Sequence, residues 1–289
     1  MNPNILSGIS ALAARYDGFI LDVWGVLHNG VRPYPGVIDA LTRLLQTGKS
    51  IVLLSNAPMR ATTVIARLEH LGIAAGLYHG IQTSGEEVWQ NLNERADPFY
   101  AGLGNRCLWL GPDRHESMVA GLNLTLVDSP EAAGFILNTG PDDLDDQATR
   151  YLPLLEAAAA QNLPMICANA DLHVMQGNTV ICCAGVLAKR YEERGGVVRW
   201  HGKPYPSVYH SCFKLLGLPD LSRVLAVGDN LATDIAGAAG VGVDSALVAG
   251  GIHAEELRVD ETGRPDPVRL DVLCTGKPQP TWILPQLLW

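Results

Sequence analysis

Short, nearly unbroken apolar runs alternate along this chain with stretches in which apolar side chains recur every three or four positions. The first pattern reads as strand and the second as amphipathic helix. Strands are expected at residues 18–23 and 50–54, and helices at 36–46 and 61–71, stopped by Gly48 and Gly72. The run at 50–54, SIVLL, is the kind buried on both faces of a parallel sheet. Residues 86–197 carry a second alternating set, at 106–110, 116–121, 134–138, 142–161 and 164–168. The last part returns to the opening style, with a strand at 223–227, a helix after Asp234 and a strand at 244–248. This order predicts an α/β protein with a largely parallel sheet. It also predicts a core of residues 1–85 and 198–289 into which an α/β unit, 86–197, is inserted.

Composition narrows the possibilities. The 289 residues are 47% hydrophobic and 18% charged, a globular balance with enough chain for one large or two modest domains. A formal net charge of −9 disfavours binding to nucleic-acid phosphates, and no basic stripe offsets it. No segment reaches the apolar length of a membrane span, and the first residues lack the basic start and apolar block of a signal peptide, so a cytoplasmic protein is expected. The six cysteines show no C-x-x-C spacing and read as ordinary buried thiols. The glycines of GAAGVG, 237–242, run G-x-x-G-x-G after a helix and are not a dinucleotide fingerprint. The acidic PDDLDD, 141–146, reads as the start of the following helix, where carboxylates suit the positive dipole end.

Ligands of open parallel sheets bind beyond the carboxyl ends of the strands, so the polar residues there carry the functional argument. The first strand ends in Asp22, the second in Ser55 and Asn56, and the later one in Asp229 and Asn230 with Asp234 following. Lys203 precedes that last strand in HGKPYP. Taken one by one, these residues could be turn formers, helix caps or a solvated lysine. Together, at strand ends, they suit phosphoryl transfer. A strand-tip aspartate can attack phosphorus, further carboxylates can hold Mg²⁺, and a lysine, a hydroxyl and backbone amides can steady the phosphoryl oxygens.

These residues resemble the haloacid dehalogenase superfamily. The matching motifs are D-V-W-G-V at 22–26, L-S-N at 54–56, G-K-P-Y-P at 202–206 and G-D-N-L-A-T-D at 228–234. An insertion between the second and third motifs is similar to the class IIA, NagD-like branch with its α/β cap. Within it A-N-A-D-L-H, 168–173, resembles that branch's N-P-D stretch, with Ala170 in place of proline, and P-T-W-I-L-P at 280–285 resembles its ending. The resemblance implies a Rossmann-like core with a cap and a phosphatase acting on a small phosphorylated metabolite. It implies Asp22 as nucleophile, and Mg²⁺ held by Asp22, the Trp24 carbonyl and Asp229, with Asp234 as a further carboxylate. Ser55 would bind phosphate with Asn56 beside it, Lys203 would bridge nucleophile and phosphate, and Asn230 would support the metal site. Asn169 and Asp171 of the cap would face the leaving group. Caps of this type often meet a partner subunit, so a homo-oligomer is compatible with the resemblance.

One position departs from the pattern. Family phosphatases carry a second aspartate two residues after the nucleophile, which protonates the leaving oxygen and then activates water. Here that residue is Trp24. Indole donates one hydrogen bond and does not titrate usefully, although its backbone carbonyl can still face a metal. Losing general acid–base help costs roughly 10²- to 10⁴-fold in rate. His28, in the turn that follows, could take over, but a plain turn histidine is the simpler reading. Two function classes stand side by side: a Mg²⁺-dependent phosphatase with altered acid–base chemistry, and a phosphometabolite-binding or regulatory protein with little turnover.

Overall fold

The computed structural model describes residues 4–142, 148–176 and 179–289. Two parallel sheets organise them. The larger has seven strands in the order β1-β14-β13-β12-β2-β3-β4. These are β1 (Asn4–Ile5), β2 (Gly18–Asp22), β3 (Ser50–Ser55), β4 (Gly80–Thr83), β12 (Val224–Gly228), β13 (Asp244–Val248) and β14 (Trp282–Leu284). The smaller has five strands in the order β11-β8-β7-β5-β6. They are β5 (Arg106–Leu110), β6 (Thr125–Leu126), β7 (Phe135–Asn138), β8 (Met165–Cys167) and β11 (Val198–Trp200). An antiparallel hairpin, β9 (His173–Gln176) and β10 (Thr179–Cys182), completes the set. The smaller sheet is formed from chain that leaves the larger one after β4 and returns before β12.

The central strands β2, β3 and β12 are buried nearly end to end, which is why their sequences are apolar runs rather than alternations. Helices cover both faces. Val37–Gln46 and Ala61–His70 pack over Phe19, Leu21, Ile51 and Leu53. Pro206–Leu216 packs over Ile20, Val52 and Ala226 on the other side. Strand order reverses at β2: the chain steps to β3 and β4 on one side, then returns to β12 and β13 on the other. A crevice must open at the carboxyl edge where those paths diverge, and β3, β2 and β12 place Ser55, Asp22 and Gly228 there side by side.

Some elements differ from the sequence expectation. A helix over 142–161 starts only at Leu152, after a 3₁₀ turn at Thr149–Tyr151, and ends at Ala160. Of PDDLDD, positions 143–146 lie outside the described residues, while Asp142 sits 3.5 Å from Arg150. The acidic stretch therefore does not open the described helix. In the second alternating set, the stretch around 116–121 contains a 3₁₀ helix, Asp113–Met118. The segment after Asp229 enters its helix through a π-helical turn, Leu231–Ile235. All six cysteines are thiols. No helix among the described residues is long and apolar enough to cross a membrane.

A buried polar chain secures the return crossing from the smaller sheet. The Tyr100 hydroxyl lies 2.5 Å from His201 Nε2, and His201 Nδ1 lies 2.8 Å from Glu87 Oε2. Tyr100 and Glu87 thus occupy the two ring nitrogens of His201. All three residues are buried, and His201 is two residues before Lys203. Removing one partner strands a buried polar atom at a cost of about 1–3 kcal/mol. Tyr100→Phe is expected to lower the unfolding free energy by about that amount, measured by urea denaturation.

Candidate active site

Asp22, Lys203, Asp229 and Asp234 converge where the strand order reverses, each with less than a tenth of its surface exposed. Lys203 Nζ donates to Asp22 Oδ1 at 2.5 Å and to Asp234 Oδ1 at 2.7 Å. The carboxylates of Asp22, Asp229 and Asp234 each offer an oxygen within 4.8 Å of the others. Asp229 Oδ2 accepts from the Ile252 amide at 2.8 Å, and Asp234 Oδ2 from the Asn230 amide at 3.1 Å. The Tyr209 hydroxyl donates to the Asp234 carbonyl at 3.1 Å, steadying the turn from below.

Close backbone approach makes room for these carboxylates. Gly25 has φ +86°, and a Cβ there would lie 2.0 Å from Asp229 Oδ2. On the other side a Cβ at Gly251 would lie 2.2 Å from Asp229 Cβ. Asp229 is thus sandwiched by two glycines. The first lies in the motif at 22–26; the second was passed over in the sequence, where its only signal is a Gly-Gly pair just after β13.

The electrostatics follow from burial. Desolvation pushes Asp22 well above the usual carboxylate range, opposed by the Lys203 ammonium. Desolvation, reinforced by Asp234, raises Asp229 to about 7. Burial alone would lower Lys203, but Asp22, Asp234 and Asp171 override it and hold the ammonium well above its ordinary value. Three carboxylates around one lysine leave a formal excess of two negative charges when all are ionised. An all-oxygen donor set with that excess fits a hard divalent cation such as Mg²⁺. The fit rests on the carboxylate cluster itself.

Asn56 performs a task that its neighbouring motif does not announce. Its Oδ1 accepts from the Lys203 amide at 2.6 Å, and its Nδ2 donates to the Lys203 carbonyl at 3.1 Å and to Asp171 Oδ1 at 3.0 Å. Gly202, at φ +97°, allows this: a Cβ there would meet Asn56 Oδ1 at 2.4 Å. Ser55 lies at the same edge, its Oγ accepting from the Ala57 amide at 3.2 Å. From the smaller sheet, Asn169 is buried and its Oδ1 accepts from the Asp171 amide at 2.8 Å, so Asn169 shapes the loop that presents Asp171. Ser84 binds that loop to the core, donating to the Ala168 carbonyl at 2.6 Å. A cleft of about 1300 Å³ joins Asp22, Ser55 and Lys203 to Asn169 and Asp171.

Four further residues around the cluster make contacts of their own. The Asn230 side chain caps the following turn by accepting from the Ala232 amide at 2.8 Å; it supports the carboxylates through its backbone amide instead. His28 is buried, its Nδ1 accepts from the Gly30 amide at 2.9 Å, and burial pushes it down to about 4. It is therefore neutral, with Nδ1 already occupied. Trp24 lies edge-on to His28 at 5.1 Å, its ring pressed on Gly30, where a Cβ would come within 2.6 Å. Arg60, just before the helix Ala61–His70, is half-buried. It pairs with Glu86 at 2.7 Å and stacks on Trp89 at 3.6 Å.

Comparison with known proteins identifies the family. Residues 19–125 match the family of haloacid dehalogenase-like hydrolases, and residues 200–274 match a second HAD-hydrolase-like family. A haloacid dehalogenase-like hydrolase from Brucella suis has a similar structure, with 31% identity and a TM-score of 0.83, covering 98% of this chain and all of that one. The D-glycerol 3-phosphate phosphatase of Mycobacterium tuberculosis is 26% identical across 95% of this chain and 77% of its own. A 4-nitrophenylphosphatase of Schizosaccharomyces pombe is 25% identical across 84% and 86% respectively.

The glycine sandwich yields a test. Gly48 has a similar φ, +75°, but nothing within 4 Å of its Cβ position. Alanine at either position is expected to cost about 1–2 kcal/mol of backbone strain. Only Gly25→Ala is expected to cost more than this strain in urea denaturation, because only it displaces the buried Asp229 carboxylate.

Proposed function

The chain belongs to the haloacid dehalogenase-like hydrolases, in their class IIA branch, and from that premise we propose that it is a Mg²⁺-dependent phosphatase of a small phosphorylated metabolite. The observation that carries this reading is the buried Lys203 held between Asp22 and Asp234 beside Asp229. In this reading Asp22 is the nucleophile: one carboxylate oxygen attacks phosphorus and an aspartyl phosphate forms. Lys203 places its ammonium beside the attacking oxygen and draws the phosphoryl group to it. Ser55 and the amides of the loop after β3 receive the remaining oxygens. Asp234 and Asn56 are positioning residues, one orienting the lysine head and the other its backbone. Asp22, Asp229 and the Trp24 carbonyl would hold the cation, with Asp234 in reserve. When bound, it supplies charge that offsets the buried carboxylates and the phosphoryl oxygens.

Trp24 is the single observation favouring the other reading, a phosphometabolite-binding or regulatory protein with little turnover. An aryl phosphate decides between them, because its leaving group needs little protonation. Turnover of 4-nitrophenyl phosphate with Mg²⁺ is expected, falling at least 10³-fold in Asp22→Asn and on chelation. Binding of metabolites without any product would overturn the phosphatase reading.

The cation has a pH signature. Asp229 rises from 3.8 to about 7 in the metal-free fold. Its contribution to stability is therefore full below the ordinary value and is lost as pH climbs towards 7. Mg²⁺ competes with that proton. The rise in melting temperature on adding Mg²⁺ is expected to grow from pH 5 to pH 8, measured by scanning calorimetry; a pH-independent rise would contradict it.

A further inference from the structure

Hydrolysis through Asp22 still needs a group that gives a proton to the leaving oxygen and later takes one from water. We propose that Asp171, presented by the loop after β8, is that catalytic acid–base. The inference rests on the phosphatase reading above.

Elimination comes first. The carboxylates lining the cleft among the described residues are Asp22, Asp171, Asp229, Asp234 and Glu255. Asp22 and Asp234 are held by Lys203, and Asp229 is packed between glycines with the Ile252 amide on one oxygen. Glu255 is exposed. Of the cleft histidines, His28 has Nδ1 occupied, His115 is buried and pushed down to about 4 by burial, and His70 and His173 are exposed. Asp171 is the remaining half-buried carboxylate.

Its placement fits the task. Oδ1 accepts from Asn56 Nδ2, and the same Asn56 holds the Lys203 backbone on both sides. The loop is fixed at both ends of the residue: the Asp171 amide donates to Asn169 Oδ1, and its carbonyl accepts from the Gly185 amide at 3.2 Å. A Cβ at Gly185 would lie 2.5 Å from that carbonyl, so the helix start beneath it is closely packed. Asp171 lines the same cleft as Asp22 and Lys203, and in this proposal the leaving group departs on its side.

Its chemistry fits too. Burial raises Asp171 to about 6, against Lys203 and the Asn56 hydrogen bond and reinforced by Asp234. Asp229 also faces it from the core. From its own side it faces Cys167 and Cys183, both neutral thiols because burial pushes them up. A carboxyl group in that range can exchange protons in both directions near neutral pH.

The steps balance. As Asp22 attacks, the bond from phosphorus to the leaving oxygen breaks, its electron pair stays on that oxygen, and the Asp171 proton neutralises it. The product alcohol departs and Asp171 is left as carboxylate. Asp171 then removes a proton from water while the water oxygen attacks phosphorus. The bond to Asp22 breaks, its electron pair returns to that carboxylate, inorganic phosphate leaves, and Asp171 is protonated again.

Asp171→Asn keeps the shape and the acceptor for Asn56 and removes the proton. With Mg²⁺ present, kcat/KM for an alkyl phosphate such as glycerol 3-phosphate is expected to fall about 10²- to 10⁴-fold. For 4-nitrophenyl phosphate kcat/KM is expected to fall less than tenfold. Its kcat is expected to collapse, with a nitrophenol burst and trapped phosphoenzyme. Asp171→Glu should restore part of the alkyl activity, and the alkaline limb of the wild-type kcat/KM profile should vanish in Asp171→Asn. Equal losses on both substrates without a burst, or no loss, would overturn the role of Asp171 while leaving the phosphatase reading intact. Absence of wild-type turnover on both substrates would overturn both readings.

Discussion

A lysine ammonium sealed between two carboxylates, with a third beside it, is the constraint around which the rest of the site is arranged. Removing such charges from water costs several kcal/mol per ion unless every partner is placed. The three central strands supply that placement, because their buried backbones cannot slip without exposing a face of the core. Positive φ at Gly25 and Gly202 lets neighbouring backbone come close enough to leave room for the Asp229 and Asn56 side chains. What the protein side chains leave uncompensated is negative, and in the proposed reaction that excess is what a cation would offset.

The two sheets divide the chemistry in the proposed reaction. The larger sheet keeps nucleophile and cation ligands, and the crossing that leaves the smaller sheet after β11 brings the buried Lys203 to them. The smaller contributes one titratable carboxyl on a short loop. In the family pattern both proton transfer and phosphoryl attack sit on one strand tip. Here the position two residues after the nucleophile is filled by an indole packed on a glycine and a neutral histidine, a hydrophobic plug that closes the turn. Proton traffic then has to come from across the cleft.

The strand ends carrying Asp22, Ser55 and Asp229 were legible in the sequence, because a strand covered on both faces must be apolar and a polar residue ending it stands out. Lys203 was legible from its G-K-P setting. Other features left no local trace. The clamp of Asn56 on Lys203 joins residues 147 positions apart, and its bond to Asp171 spans 115. Periodicity cannot report such contacts. Strands of two or three residues such as β1, β6 and β14 are too short to show a period, and the helix start near 142 was misplaced because acidic residues suit turns and dipole ends alike. Asn230 looked like part of the charged cluster, whereas its side chain does the commonplace work of a cap.

Asn56 has a consequence of a different kind, one of tolerance. Lys203 and Asp171 follow the paired strands β11 and β8 of the smaller sheet, so every small error in how the two sheets meet would appear between them and Asp22 on β2. Because the Asn56 amide, just beyond β3 of the larger sheet, touches both, that gap is referenced over a few bond lengths. Errors accumulated over more than a hundred intervening residues do not add up at the reacting atoms. The chain can therefore vary freely in the remote surfaces of either sheet, so long as this one spacer keeps its length and its three hydrogen bonds.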